Sequence, residues 1–204
     1  MSLYTLFLGS GSKVRHILLE QARIPFKVVD HTANESLVAH TTLQETVVKI
    51  ARLKMDHVVL PAVNEGDFVF VLTADSMGAS ADGLLHGKPK DREDAIKKLH
   101  ALSGSACTTA TGFCIEKRLF SNGIWHVVAV HEQAVTACYE FHVPNTWLDR
   151  YLRYSWGMKA SGAIAVEFYG MQFLQSVTGS YSAIMGLPLF EVREALERFG
   201  FFEN

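Results

Sequence analysis

The chain has 204 residues, with 19 Lys and Arg against 21 Asp and Glu, a formal net charge of −2. Hydrophobic residues make up 49% and charged residues 20%, which excludes a disordered chain and supplies apolar side chains for a sizeable core. A pI near 6.5 argues against a nucleic-acid polymer as partner, since such partners are met by a basic excess.

Leu3–Leu8 is a short apolar run entering Gly9-Ser10-Gly11-Ser12, the pattern of a strand feeding a tight turn. Ser12 is placed to cap a helix carrying Ile17, Leu18 and Ala22, which stops before Pro25. Phe26–Val29 reads as a second strand. A helix over about 43–59 sets Val47, Ile50, Ala51 and Val58 on one face. Phe68–Leu72 is continuously apolar, the mark of a strand covered on both faces. It runs into Thr73-Ala74-Asp75-Ser76, and a loop follows through Asp82-Gly83 to Gly87-Lys88-Pro89. Asp91 with Asp94 predicts a capped helix ending at Leu102-Ser103-Gly104. From Cys107 to Phe141, Thr, Val and aromatic residues flank Asn122-Gly123, which predicts a long hairpin. Thr146 with Asp149 predicts a short helix to about Tyr154. Gly157–Gly186 reads as mostly extended, and a last helix follows Pro188. The order predicts an α/β fold: residues 1–204 as a single two-lobed domain, its mixed twisted sheet flanked by helices, with a cleft between the lobes as the expected site.

Cys107, Cys114 and Cys138 contain no C-x-x-C pair and read as small buried hydrophobes in a reducing compartment. The amino terminus lacks the basic region of a secretory signal, and no apolar run approaches the ~18 residues of a membrane span. The expectation is a cytoplasmic protein with no membrane partner.

A few polar residues stand where a core would not want them. Asp75 closes the most apolar strand, where it either caps the next turn or faces a ligand crevice. Lys54 shares the apolar face of its helix, so it either snorkels to water or brings a cation into a cleft. Ser10 and Ser12 bracket a helix start, where unpaired backbone N–H groups attract anions, and Arg15 lies one turn further in. The G-x-x-x-x-G-K-[ST] spacing of a P-loop is missing. Lys88 in its rigid loop and Glu35 after the second strand, taken in isolation, read first as solvated surface charges.

These elements together resemble one family over nearly the whole chain. Leu8-Gly9-Ser10-Gly11-Ser12, Arg15 and Leu18-Leu19 are similar to the L-A-S-x-S-x-x-R-x-x-L-L opening of the Maf family of nucleotide pyrophosphatases. Ile50-Ala51-Arg52-Leu53-Lys54 resembles its L-A-x-x-K helix. Thr73-Ala74-Asp75-Ser76, Asp82-Gly83, Gly87-Lys88-Pro89 and Leu102-Ser103-Gly104 resemble its central block. Gly162–Glu167, Gly179-Ser180-Tyr181 and Gly186-Leu187-Pro188-Leu189 resemble its carboxyl-terminal block.

The resemblance implies a Maf/ITPase-like fold and hydrolysis of a nucleoside triphosphate to monophosphate and pyrophosphate, with Mg²⁺ or Mn²⁺. It implies that Asp75 is the catalytic acid, activating water or holding the metal, and that Glu35 joins it as a metal ligand. Ser10, Ser12, Arg15, Lys54 and Lys88 match the phosphate-gripping set. A homodimer is the assembly it implies. Val14, Ser76 and Glu167 stand where one branch, acting on dTTP and UTP, has Arg, Thr and Gln, and where a 7-methyl-GTP branch has an aromatic residue, Gln and Glu. An ionised Glu167 accepts from guanine's N1–H and amino group and repels the carbonyls of uracil or thymine. The expectation is therefore a guanine-type or modified substrate such as 7-methyl-GTP. The alternatives are a dTTP/UTP pyrophosphatase of the same family, a regulatory nucleotide-binding protein in cell-division arrest, and a sugar-nucleotide or phosphate-transferring enzyme.

Overall fold

The structure is a computed structural model that describes residues 4–38 and 41–203. In chain order it contains β1 (Leu6–Leu8), α1 (Lys13–Gln21), β2 (Phe26–Val28), α2 (Leu43–Asp56), β3 (Phe68–Ser80), β4 (Leu85–His86), α3 (Arg92–Leu102), β5 (Ala106–Ser121), β6 (Ile124–Phe141), α4 (Leu148–Tyr154), β7 (Leu174–Gly179), α5 (Tyr181–Met185) and α6 (Leu189–Arg198). The strands form one mixed, twisted sheet in the order β2-β1-β3-β5-β6-β7, with β4 on β3. β1 runs parallel to β2 and β3, while β3–β4 and β6–β7 are antiparallel. The fold is α/β, as the alternation of elements implies.

The chain divides into two compact units. The first comprises Met1–Asp75, Thr111–Val135 and Gly186–Asn204. One of its cores joins Phe7 of β1, Val69 and Val71 of β3, Cys114 of β5, and Ala51 and Met55 of α2. α2 forms here because Thr42 Oγ1 accepts the Glu45 N–H and because Val47, Ile50, Ala51 and Met55 recur at helical spacing. The second unit comprises Ser76–Ala110 and Thr136–Met185. Its core gathers Leu99 and Leu102 of α3, Tyr139 and Phe141 of β6, Tyr151 of α4, and Phe173. Phe141, Tyr151 and Phe173 meet edge to face or tilted, centroids 5.4–6.2 Å apart, which adds about 0.5–1.5 kcal/mol per pair beyond the area they bury. α3 has the cap expected of it: Asp91 Oδ1 accepts the Asp94 N–H at 2.8 Å.

The structure corrects several expectations. The part of the first strand at Leu3 lies outside the described residues. β3 does not close at Asp75 but continues to Ser80, because Gly78 and Ala79 pair with β4 where the apolar pattern has already ended. α2 ends at Asp56, and α4 begins at Leu148 after a 3₁₀ turn over Asn145–Trp147. The glycine-rich stretch from Gly157 is mainly 3₁₀ turns as far as Phe173, with β7 and α5 beyond. Gly170 is indispensable to that winding, since a Cβ there would meet the Ala165 carbonyl oxygen at 1.7 Å. Cys107 and Cys114 are buried as expected, but Cys138 is exposed. Among the described residues no helix is long and apolar enough to cross a membrane.

Candidate active site

Because β1, β2 and β3 are parallel neighbours, their carboxyl ends fall along one edge of the sheet. Leu8 is level with Val28 on one side and Leu72 on the other. Ligands of α/β sheets bind outside that edge. Gly9–Ser12 continue from β1, Glu35 follows β2 in a 3₁₀ turn over Glu35–Leu37, and Asp75 lies three residues past Leu72.

Lys54 is brought to the same edge by α2. Thr73 Oγ1 donates to the Ala51 carbonyl at 2.6 Å, which sets the register of helix against strand. One helical turn on, Lys54 Nζ donates to Asp75 Oδ1 at 2.8 Å and to the Ala74 carbonyl at 3.4 Å, and it lies 3.2 Å from Glu35 Oε1. Its ammonium is not in water, for the residue is only 6% exposed. The snorkelling alternative is thereby excluded, and a buried cation holds two carboxylates.

Arg15 is as buried as Lys54. Its Nε–H donates to the Gly186 carbonyl at 2.7 Å and Nη1 to Ser10 Oγ at 2.8 Å. Burial lowers its pKa, and the negative charges of Asp75 and Glu35 work against that fall. Ser10 Oγ also accepts the Ser12 N–H at 3.4 Å, so its own proton remains to be donated. Ser12 stands at the N-cap of α1 but makes no side-chain cap bond. Ser10 and Arg15 form one hydrogen-bonded group, and Glu35, Lys54 and Asp75 form another.

Val14 is half-buried on α1. Ser76, Lys88 and Glu167 belong to the second unit. Lys88 is exposed beside Gly87, whose carbonyl accepts the Gly162 N–H at 3.2 Å. Glu167 is 7% exposed at the head of the 3₁₀ turn over Phe168–Phe173. Burial pushes its carboxyl above the usual carboxylate range, against backbone hydrogen bonds at Glu167 and Val166 that lower it. The chain leading into it is held by Tyr151, whose hydroxyl donates to the Ala163 carbonyl and accepts the Ala165 N–H, each at 2.8 Å.

Sequence reasoning missed three contributors. Thr73 aligns α2, and the Gly186 carbonyl anchors Arg15; both lie inside quoted motifs, but nothing local says what they touch. His31 lies close enough to Lys54 and Glu35 to feel both charges: burial and Lys54 lower its pKa, while Glu35 opposes them.

A family model described as Maf-like protein matches residues 5–199. The chain belongs to the Maf family of nucleoside triphosphate pyrophosphatases. It is similar to the dTTP/UTP pyrophosphatase of Geotalea uraniireducens (strain Rf4), with 32% identity over 198 residues, 97% of this chain and 96% of the relative. The dTTP/UTP pyrophosphatase of Acholeplasma laidlawii (strain PG-8A) is 33% identical over 195 residues, 95% of this chain and 96% of the relative. That of Fusobacterium nucleatum subsp. nucleatum is 29% identical over 197 residues, 96% of each.

A Maf enzyme is expected to use a divalent metal. Among the described residues no three His, Cys, Asp or Glu side chains gather that could hold one. Glu35 and Asp75 nevertheless offer hard oxygens to a single position, as their shared hold on Lys54 Nζ shows. That donor set fits Mg²⁺ or Mn²⁺, since Mg²⁺ takes one or two carboxylates and completes its shell with water and substrate phosphate.

Proposed function

We propose that residues 1–204, as one catalytic domain, hydrolyse dTTP and UTP between the α and β phosphates. The observation that carries this choice of base is the similarity, over almost the whole chain, to relatives named dTTP/UTP pyrophosphatases. It takes the place of the guanine-type preference expected from Glu167. Burial raises the pKa of that carboxyl, which favours its protonated form, and a protonated acid offers one donor and one acceptor, as the amide of Gln does. It then suits the carbonyl and N3–H of thymine or uracil rather than repelling them.

In the proposed reaction water attacks the α-phosphorus, the α–β bridging bond breaks, and pyrophosphate leaves. Asp75 accepts the proton of the attacking water. Lys54 holds Asp75 in orientation through their 2.8 Å contact, and places positive charge where phosphate oxygens gather charge in the transition state. Ser10 and Ser12 donate to phosphate, Arg15 holds Ser10 in place, and Lys88 supplies a further cation. Glu35 and Asp75 are the residues that would hold the divalent cation, whose charge helps neutralise the phosphates when it is bound. Val14, Ser76 and Glu167 are assigned to the base.

The test is pyrophosphate release from dTTP, UTP, GTP and 7-methyl-GTP with Mg²⁺ or Mn²⁺. The expected result is kcat/KM at least about tenfold higher for the two pyrimidine nucleotides, a margin that one lost or gained base hydrogen bond readily supplies. The second reading, a guanine-type substrate, is favoured by Glu167 in its ionised form and predicts the opposite order.

A further inference from the structure

Glu167 is followed by a residue that the local backbone does not suit. The Glu167 carbonyl accepts the Gly170 N–H at 2.9 Å, so residues 167–170 form a tight turn with Phe168 in its second position. There φ is +50°, the left-handed region, where turns carry Gly, Asn or Asp and a bulky side chain is strained. Among the described residues four non-glycine positions have positive φ, and Phe168 is the aromatic one. Core packing does not offset that strain, because Phe168 is 49% exposed beside the buried Val166 and Glu167. Its ring meets Trp156 edge to face, with centroids 5.1 Å apart and planes at 64°, which fixes where the ring stands and leaves much of it open to solvent. Strain held without burial points to use of the side chain.

We propose that the Phe168 ring is the stacking surface for the base of the nucleotide, a reading that rests on the assignment of Glu167 to the base made above. A nucleobase is a flat ring with polar atoms at its edge and π-density on its faces. Glu167 offers polar atoms to the edge, and neither Val14 nor Ser76 has a ring to offer the face. Phe168 supplies one on the adjoining residue. Both residues ride on fixed backbone: the Tyr181 hydroxyl donates to the Val166 carbonyl at 3.1 Å just ahead of them, and the Gly170 bond closes the turn behind. An aromatic face so held loses little freedom when a base settles on it. Stacking on an aromatic side chain tolerates any base, so Phe168 binds the base and Glu167 selects among bases.

The experiment compares Phe168→Gly and Phe168→Tyr in the full chain, using dTTP, UTP, GTP and deoxyribose 5′-triphosphate, which has the same anhydrides and no base. Phe168→Gly should raise KM at least about fivefold for every nucleotide that is turned over, the loss of one stacked base, with kcat little changed. It should leave KM for the base-free triphosphate unchanged. The thermal midpoint should stay within about 3 °C, because relief of the strain at positive φ offsets the lost contact with Trp156. Phe168→Tyr keeps the ring and should keep KM. The order of the nucleotides tests the choice of dTTP and UTP, whereas the difference between triphosphates with and without a base tests Phe168, so either can fail alone. Where release is too slow to follow, calorimetric binding of dTTP reads the same ratio. An unchanged KM for the nucleotides, an equal rise for the base-free triphosphate, or a midpoint that collapses together with activity would each overturn the proposal.

Discussion

Lys54 touches both acids of the proposed site at once, Asp75 at 2.8 Å and Glu35 at 3.2 Å. Lys54→Met keeps the length of the stem and removes the charge. It should lower pyrophosphate release at least about 100-fold. The accompanying loss of stability should be about 1–3 kcal/mol, less than for a sealed pair, since Glu35 and Asp75 retain contact with water. Denaturant melts alongside initial rates would check both numbers, and a variant of full activity would remove Lys54 from the mechanism. Glu167 allows a prediction in pH. Its carboxyl titrates above the usual range because it is buried, so a low pH keeps the donor that thymine or uracil needs. KM for dTTP should rise as the pH climbs through that raised value, and Glu167→Gln should flatten the dependence. Stability follows the same sign. Above the ordinary carboxylate pKa the unfolded chain ionises while the folded one resists, so Glu167 costs stability increasingly until its folded pKa is passed. The Gln variant should show none of that decline.

At the scale of elements, the contact between α2 and β5 decides how close Lys54 comes to its carboxylates. Gly112 of β5 lies directly under the helix, where an added Cβ would sit 2.5 Å from the Val47 carbonyl carbon and 2.6 Å from the Val48 nitrogen. These are backbone atoms and cannot rotate aside. Gly112→Ala should therefore push α2 outward and cost about 1–3 kcal/mol by overpacking. Activity should fall with it, because Thr73 and Ala51 can no longer hold helix and strand in register. A thermal midpoint and a rate equal to those of the unsubstituted chain would show that the helix is not seated on Gly112. The other flank of α2 is tied down by charge: Arg52 meets Asp56 at 2.7 Å and the fully buried Glu116 at 2.8 Å, and Arg118 holds the second oxygen of Glu116 at 2.6 Å. This network gives α2 a fixed position without drawing on any residue proposed for the chemistry.

For the molecule as a whole, the near-neutral charge is compatible with a local arrangement of opposite charges. Arg15 and Lys54 balance Asp75 and Glu35 in the first unit, so the acids are compensated before a metal arrives. Chelation with EDTA should therefore abolish pyrophosphate release but move the thermal midpoint by no more than about 2 °C, unlike proteins whose fold depends on their metal. Calorimetry with and without chelator separates the two effects, and a large drop in the midpoint would mean that the metal holds the fold together.

The alternation of strands and helices, the buried face of α2, the Asp91 cap and the Asn122-Gly123 hairpin were all legible in the sequence. Each depends on residues close together in the chain, where periodicity and capping chemistry operate. The motif residues were legible too, though only as oddities: a lysine on an apolar face and an aspartate after an apolar strand. Their partners were not. Lys54 finds Asp75 across 21 positions and Arg15 finds Gly186 across 171, distances at which no local pattern operates. The same limit explains why β3 runs on to Ser80 and why the segment from Gly157 winds into 3₁₀ turns. Strand pairing supplies hydrogen bonds to residues of weak strand preference in the first case, and packing around Tyr151 bends the chain in the second. Sequence alone determined the kinds of element and the chemistry available to them. Tertiary structure decided which charges meet and which are buried, because burial and pairing belong to neighbours in space.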